Sequence, residues 1–260
     1  MRKVFSVLLV AILFLAAGCG SGPKKTTQEK AKETKAAAPN TLTEKEKADG
    51  WVLLFNGKDM TGWRGVNKTT VPTAWSAIDG VMTLKGSGRG EAGGLDGGDI
   101  LYDKKFKNFH LIVDWKISEG GNSGILYLGQ EIPDWEIWRT APEFQVLDND
   151  KHPDALLGKD GNRKAGSLYD LIPAKPQNTK PAGEWNTAEI MCYKGTVIHK
   201  QNGEVVLEYH LWTDEWNKLV AGSKFPGLNE NWAKVAEEGY ISIQDHGDDV
   251  FYRNIKIREL

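Results

Sequence analysis

The 260-residue sequence predicts an all-β fold, a two-sheet sandwich of jelly-roll type with few, short helices. Three observations carry this expectation. Short stretches with alternating apolar and polar residues recur along the chain, as in Phe109 to Ser118 (FHLIVDWKIS), the pattern of a strand with one buried face. Turn pairs that accept positive φ stand between such stretches: Asp79-Gly80, Lys194-Gly195 and Asn202-Gly203. Helical signals are confined to two places, a turn capped by Thr213 and running through Val220, and another opened by Asn229 or Asn231 before Glu238.

In chain order, residues 1–18 read as a signal peptide. Arg2 and Lys3 precede an apolar run from Val4 to Ala17 that is too short to span a bilayer as a mature helix, and Leu15-Ala16-Ala17-Gly18-Cys19 resembles the lipobox of bacterial lipoproteins. Cys19 is therefore the expected lipidation site, and more than one acyl chain anchors stably where one does not. Residues 19–40 lack aromatic and branched aliphatic residues and read as a disordered tether, which leaves 41–260 as one β domain. The expected location is the bacterial cell envelope, on the outer membrane facing the periplasm, with the membrane as a partner through the lipid. Only Cys192 follows Cys19, so neither an intramolecular disulfide framework nor a cysteine-based zinc site is expected. The net charge of −2 offers nothing for nucleic acid.

Within the domain, Trp51 to Phe55 reads as a short strand and Thr73 to Lys85 as a hairpin turning at Asp79-Gly80. The glycine-rich run from Gly86 to Asp99 reads as a loop, mobile or adapted to a ligand. Strands follow at Phe109 to Ser118, Ile125 to Leu128 and Glu143 to Leu147, and a long ordered loop carries Ser167-Leu168-Tyr169. Trp185 to Tyr193, Thr196 to Gln201 and Glu204 to His210 form a meander. The last stretch, Gly239 to Leu260, reads as a β-hairpin.

Two strands hold the polar groups of interest. If Phe144 and Val146 face the core, Glu143 and Gln145 share the outward face and Asp148 stands at the exit. If Ile241 and Ile243 face the core, Gln244 and His246 share the opposite face beside Asp245. Arg253 is then either buried and paired or turned toward Gln244 and His246 by a bulge near Asn254, and the bulge is the favoured reading. Most of the ten tryptophans are packing residues. Trp135, Trp138, Trp185 and Trp212 lie beside loops, where an indole face suits the C–H surface of a sugar. His199 is either a structural histidine of the meander or a site residue, while His110 and His152 read as surface or packing groups. No Gly-rich phosphate loop, nucleophile elbow or HExxH occurs, so no nucleotide cofactor is expected and acyl transfer is disfavoured.

From about Gly50 to Leu260 the chain resembles the 3-keto-disaccharide hydrolase domain family. The matching motifs are Gly50 to Asn56 with Gly57 and Gly62-Trp63, Asn122-Ser123-Gly124, Glu143 to Asp148, Gly166 to Asp170, Gly183 to Asn186, His199 with Asn202-Gly203, Ser223-Lys224-Phe225 and Gln244-Asp245-His246-Gly247 followed by Arg253-Asn254-Ile255. Lys200-Gln201 and Tyr252 depart from the usual pattern outside the polar set. The resemblance implies a concanavalin- or lectin-like jelly roll and an enzyme that cleaves glucosides already oxidised to a ketone at carbon 3. For that chemistry the candidate catalytic residues are Glu143 or His246 as the base at carbon 2 and Arg253 at the developing oxyanion, with Asn122, Gln145, Tyr169, Trp185, His199 and Gln244 as candidate substrate-binding residues. A divalent metal held by Glu143, Asp148, Asp245 and His246 is an alternative to Arg253 for stabilising the developing oxyanion. The oxidised carbohydrate implies an oxidoreductase partner that makes it. Two other readings of the same sandwich are a non-catalytic carbohydrate-binding module and a conventional glycoside hydrolase of laminarinase-like fold.

Overall fold

The computed structural model describes residues 38–87 and 97–260. Thirteen strands are present among them: β1 (Val52–Leu53), β2 (Trp63–Gly65), β3 (Trp75–Ile78), β4 (Val81–Leu84), β5 (Ile100–Phe106), β6 (Phe109–Ile117), β7 (Asn122–Gly129), β8 (Glu143–Leu147), β9 (Asn186–Tyr193), β10 (Thr196–Gln201), β11 (Glu204–His210), β12 (Gly239–Ile243) and β13 (Val250–Glu259). Two helices, α1 (Glu44–Ala48) and α2 (Asp214–Ala221), complete the set with three 3₁₀ turns. Most of the glycine-rich run expected to form a loop, together with the signal segment, Cys19 and nearly all of the tether, lies outside the described residues.

The strands form two antiparallel sheets. The larger runs β11-β10-β9-β6-β13-β4-β3 with β1 beside β13, and the smaller runs β2-β5-β12-β7-β8. Alternation along β6 puts Phe109, Leu111, Val113, Trp115 and Ile117 inside, where they meet Ile125, Tyr127, Phe144, Val146, Ile241 and Ile243 of the smaller sheet. The outer face of the smaller sheet is not left bare, because Leu101 and Leu126 are covered by Ile137 and Ala141 from the β7–β8 connection. The three predicted turn pairs all adopt positive φ at both residues, the condition for tight two-residue hairpins.

The final stretch departs from the expected hairpin. Strand β12 pairs with β5 and β7, whereas β13 pairs with β6 and β4, so the chain crosses from one sheet to the other between them. Residues 244–249 thereby form a rim connection at the edge of the sandwich. Thr213 caps α2 as expected, accepting from the Trp216 amide. The stretch after Asn229 forms isolated turns rather than a helix, and α1 is an additional helix closed by a reciprocal Thr43–Glu46 capping box.

Asn40, expected to end the tether, is part of the fold. Its amide donates to Asn254 Oδ1 (2.6 Å), its Oδ1 accepts from the Asn254 amide (2.9 Å), and its Nδ2 donates to the Gly80 carbonyl (2.7 Å). Gly57 must be glycine here, since a Cβ would stand 2.6 Å from Asn40 Nδ2.

Candidate active site

The outer face of the smaller sheet carries a cleft of about 290 Å³. Its floor comes from the strands, because Phe144 and Val146 turn inward and leave Glu143 and Gln145 outward. Asn122, at the start of β7, lies beside them, and Gln244 and His246 reach in from the β12–β13 crossing. The Glu143 carboxylate rests over Gly124, so close that a Cβ there would be 2.2 Å from Oε1. Gln145, with its amide oriented by its neighbours, donates to Glu143 Oε1 at 2.8 Å and to the Ser123 carbonyl at 3.1 Å.

The wall opposite is built by the long loop before β9. Its residues 166–172 bond along β8, with Gly166 N to Gln145 O and Tyr169 N to Glu143 O, and so carry Tyr169 into the cleft. The Tyr169 hydroxyl donates to Asp154 Oδ2 (2.9 Å) and accepts from Lys224 Nζ (3.1 Å). Behind them Arg163 bridges Asp154 and Asp170, which fixes the pair. Burial, and then the nearby Glu143 charge, pushes the Tyr169 phenol up, while burial pushes the Lys224 ammonium down against the pull of Asp170. Phe225 and Trp232, ring centroids 4.0 Å apart, line this side, and Trp138, whose carbonyl accepts from Trp232 Nε1 (3.2 Å), lines the cleft as well.

At the rim, His152, His246 and Asp248 offer ligand atoms all within 4.8 Å of one another. Burial first, and repulsion from His246 second, lowers the His152 pKa and favours its neutral form. His152 Nδ1 accepts from the Asp154 amide (3.1 Å), so the neutral ring carries its proton on Nε2. Asp248 Oδ2 already accepts from the Asn122 amide (3.0 Å).

A match to the model of a known family decides the assignment: the description "3-keto-alpha-glucoside-1,2-lyase-like domain" covers residues 50–258. The chain belongs to this family. It is 47% identical over 291 aligned residues, spanning 100% of both chains, to a Bacteroides thetaiotaomicron protein named 3-keto-disaccharide hydrolase. A crystal structure from Parabacteroides distasonis, provisionally assigned as a glycosyl hydrolase, is 32% identical with a TM-score of 0.74, covering 86% of this chain and 100% of its own. A second from that organism, with the same provisional assignment, is 28% identical with a TM-score of 0.63, covering 81% and 99%.

In this family domain the cleft gathers Asn122, Glu143, Gln145, Tyr169, Gln244 and His246 from the expected set. Three others lie elsewhere. Arg253 stacks over Trp185 (4.0 Å) and faces Asp114 (3.6 Å) on the outer face of the larger sheet. The bulge at Asn254 does exist, with φ of 52° and a register shift after Arg253. It turns Arg253 outward, but the outer faces of two packed sheets point in opposite directions, so outward from β13 is away from Glu143. Trp185 shares that remote face, where Lys116 also lies over its ring.

His199 points into the core and is fully buried. Its Nδ1 donates to the Gly166 carbonyl (3.1 Å), and Nε2 accepts from Tyr127 Oη (2.7 Å), which also meets Tyr209 Oη (2.6 Å). Burial lowers its pKa from 6.5 to about 4, only partly opposed by the bond to Gly166. The unfolded chain therefore takes up a proton below pH 6.5 that the folded chain refuses until about 4. Stability from this group is expected to fall by about 3 kcal/mol across that window as pH drops. Urea melts between pH 7 and pH 4 check it: His199→Gln, if folded, should show a flatter acid limb than wild type, and equal slopes would remove His199 as the cause.

The expected metal set is also redrawn. Asp148 accepts from the Gly120 (2.7 Å) and Asp150 (3.0 Å) amides, and Asp245 from the Gly98 (2.7 Å) and Gly247 (2.9 Å) amides, so both carboxylates brace loops. Neither they nor Glu143 join His246 in the cluster; His152 and Asp248 do. His152, a surface or packing group by sequence, thus joins the cluster, and Lys224 and Trp232, to which the sequence assigns no role, line the cleft. Lys224 had a signal in the Ser223-Lys224-Phe225 motif, whereas His152 and Trp232 had none.

Proposed function

We propose that this chain is an enzyme that cleaves 3-keto-glycosides, 3-keto-disaccharides among them, by elimination followed by hydration. The observation that carries the reading is one cleft lined by a carboxylate, Glu143, by a partly desolvated ammonium, Lys224, and by the amide side chains of Asn122, Gln145 and Gln244. A ketone at carbon 3 acidifies the hydrogen on carbon 2. Glu143 removes that proton, the C–H electrons form the carbon 1–carbon 2 double bond, and the bond from carbon 1 to the aglycone oxygen breaks. Lys224, held by Tyr169, stabilises the charge that develops on the carbon 3 oxygen, the role the sequence had offered to Arg253. His246 donates a proton to the departing oxygen. Water then adds to carbon 1 and a proton returns to carbon 2, giving net hydrolysis. Asn122, Gln145 and Gln244 orient the ring hydroxyls.

His152, His246 and Asp248 have donor types that suit a divalent cation. Were such a cation bound, it would supply Lewis acidity at the cleft rim in place of the His246 proton. Coordination through His152 Nε2 would move the ring proton to Nδ1 and give up the bond from the Asp154 amide. The reaction needs a carbon 3 ketone, which implies an oxidoreductase acting before this enzyme. The segment through Cys19 supports a lipid-anchored place in the envelope, which detergent-phase partitioning of the expressed chain checks.

Turnover of a 3-keto-glucoside in heavy water tests the chemistry. The released sugar, quenched early, is expected to carry solvent deuterium at carbon 2, and the unoxidised glucoside should not be cleaved. A carboxylate-pair hydrolysis leaves the carbon 2 hydrogen in place throughout. Product that retains it, or equal cleavage of the unoxidised glucoside, would count against elimination.

A further inference from the structure

Beside the cleft lies a second chamber of about 260 Å³. The two are nearly equal in volume and share Trp138, Gln244 and His246 in their linings, so they adjoin at those residues. Glu143 and Lys224 line the cleft alone, whereas Trp135, Asp134 and Glu136 line the second chamber alone. We infer that the second chamber is the subsite for the departing sugar ring, so that the bond to be broken lies over the shared wall at His246. The inference rests on the proposed elimination chemistry and adds which of the two holds which ring.

Four features support it. Equal volumes suit two rings of equal size, and the proton-removing group is present only where the ring bearing carbon 2 must lie. The wall chemistry fits a neutral pyranose, with indole faces for C–H surfaces and the Asp134 and Glu136 carboxylates as acceptors for hydroxyls.

The fourth feature is that the wall of the chamber is braced by an ion pair and hydrogen bonds among the described residues. Arg64 makes a two-pronged pair with Glu131 (2.6 Å at each prong), and the same carboxylate accepts from the Asn67 amide (2.6 Å). The Asn67 side chain then donates to the Ile132 (3.0 Å) and Trp135 (3.2 Å) carbonyls. The Arg139 guanidinium, paired with Glu136, lies 5.8 Å from the Trp135 ring and 4.9 Å from the Trp138 ring. A binding surface held in shape before its ligand arrives loses less entropy on binding.

The test compares two substrates, a 3-keto-glucosyl-glucose disaccharide and methyl 3-keto-glucoside, with wild type and Trp135→Ala. Wild type is expected to prefer the disaccharide in kcat/KM, and Trp135→Ala to shrink that preference about tenfold, mainly through KM for the disaccharide. An unchanged preference, including equal losses on both substrates, would overturn the subsite while leaving the elimination reading intact. Turnover of neither substrate by wild type would overturn the elimination reading and the subsite with it.

Discussion

Replacing Glu143 by glutamine is expected to lower kcat/KM on a 3-keto-glucoside by about 10³-fold while the protein stays folded. The two side chains have the same shape, so the fit over Gly124 is kept, and the new amide oxygen can still accept from Gln145. What disappears is the basicity needed at carbon 2. Stability should move by no more than about 1 kcal/mol, because one buried acceptor replaces another. Paired kinetics and thermal melts check this. Full activity would remove Glu143 from the mechanism, and collapse of the fold together with activity would make its role structural.

The second large effect comes from a residue with no side chain. Gly124→Ala should cut kcat about 10²-fold or more, since a misplacement of about 1 Å near the chemistry can cost that much. The added Cβ would stand 2.2 Å from Glu143 Oε1 and 2.7 Å from Cδ, so the carboxylate must leave its seat. Overpacking of this kind costs roughly 1–3 kcal/mol, and the side chain has the open cleft to swing into, so the protein should still fold. A double variant separates the explanations. If Gly124 acts through Glu143, then Gly124→Ala combined with Glu143→Gln should be no slower than Glu143→Gln alone; multiplicative losses would point to a separate defect.

Alternation exposed the faces of individual strands, and Glu143, Gln145, Gln244 and His246 were legible for that reason. Alternation reports parity within a strand, however, and says nothing of which sheet the strand joins. Arg253 shows the consequence: the bulge that turns it was readable, but the crossing between β12 and β13 depends on pairing with β5, β7, β6 and β4 across more than a hundred residues. His199 was ambiguous because its partners Tyr127 and Tyr209 make it a satisfied core group, and a polar residue in a strand looks the same whether water or tyrosines satisfy it. His152 and Lys224 come from irregular segments whose course is set by the pairing of residues 166–172 with β8 and by the aromatic stack of Trp216, Trp232 and Phe225. Neither course follows from local periodicity.

The seating of Asn40 has a mechanical consequence. Were the chain held at the proposed Cys19 anchor, a pull between holder and body would reach the described fold first at Asn40. Asn40 spreads that load over Asn254 in β13 and Gly80 in the β3–β4 turn, neighbouring strands of the larger sheet. Three hydrogen bonds strained together resist more than three broken in turn, as strain relief at a cable's collar protects the solder behind it. Glu143 hangs on the other sheet, across the core, so traction on the leash would be spent at the collar before it could shift the carboxylate by a fraction of an ångström.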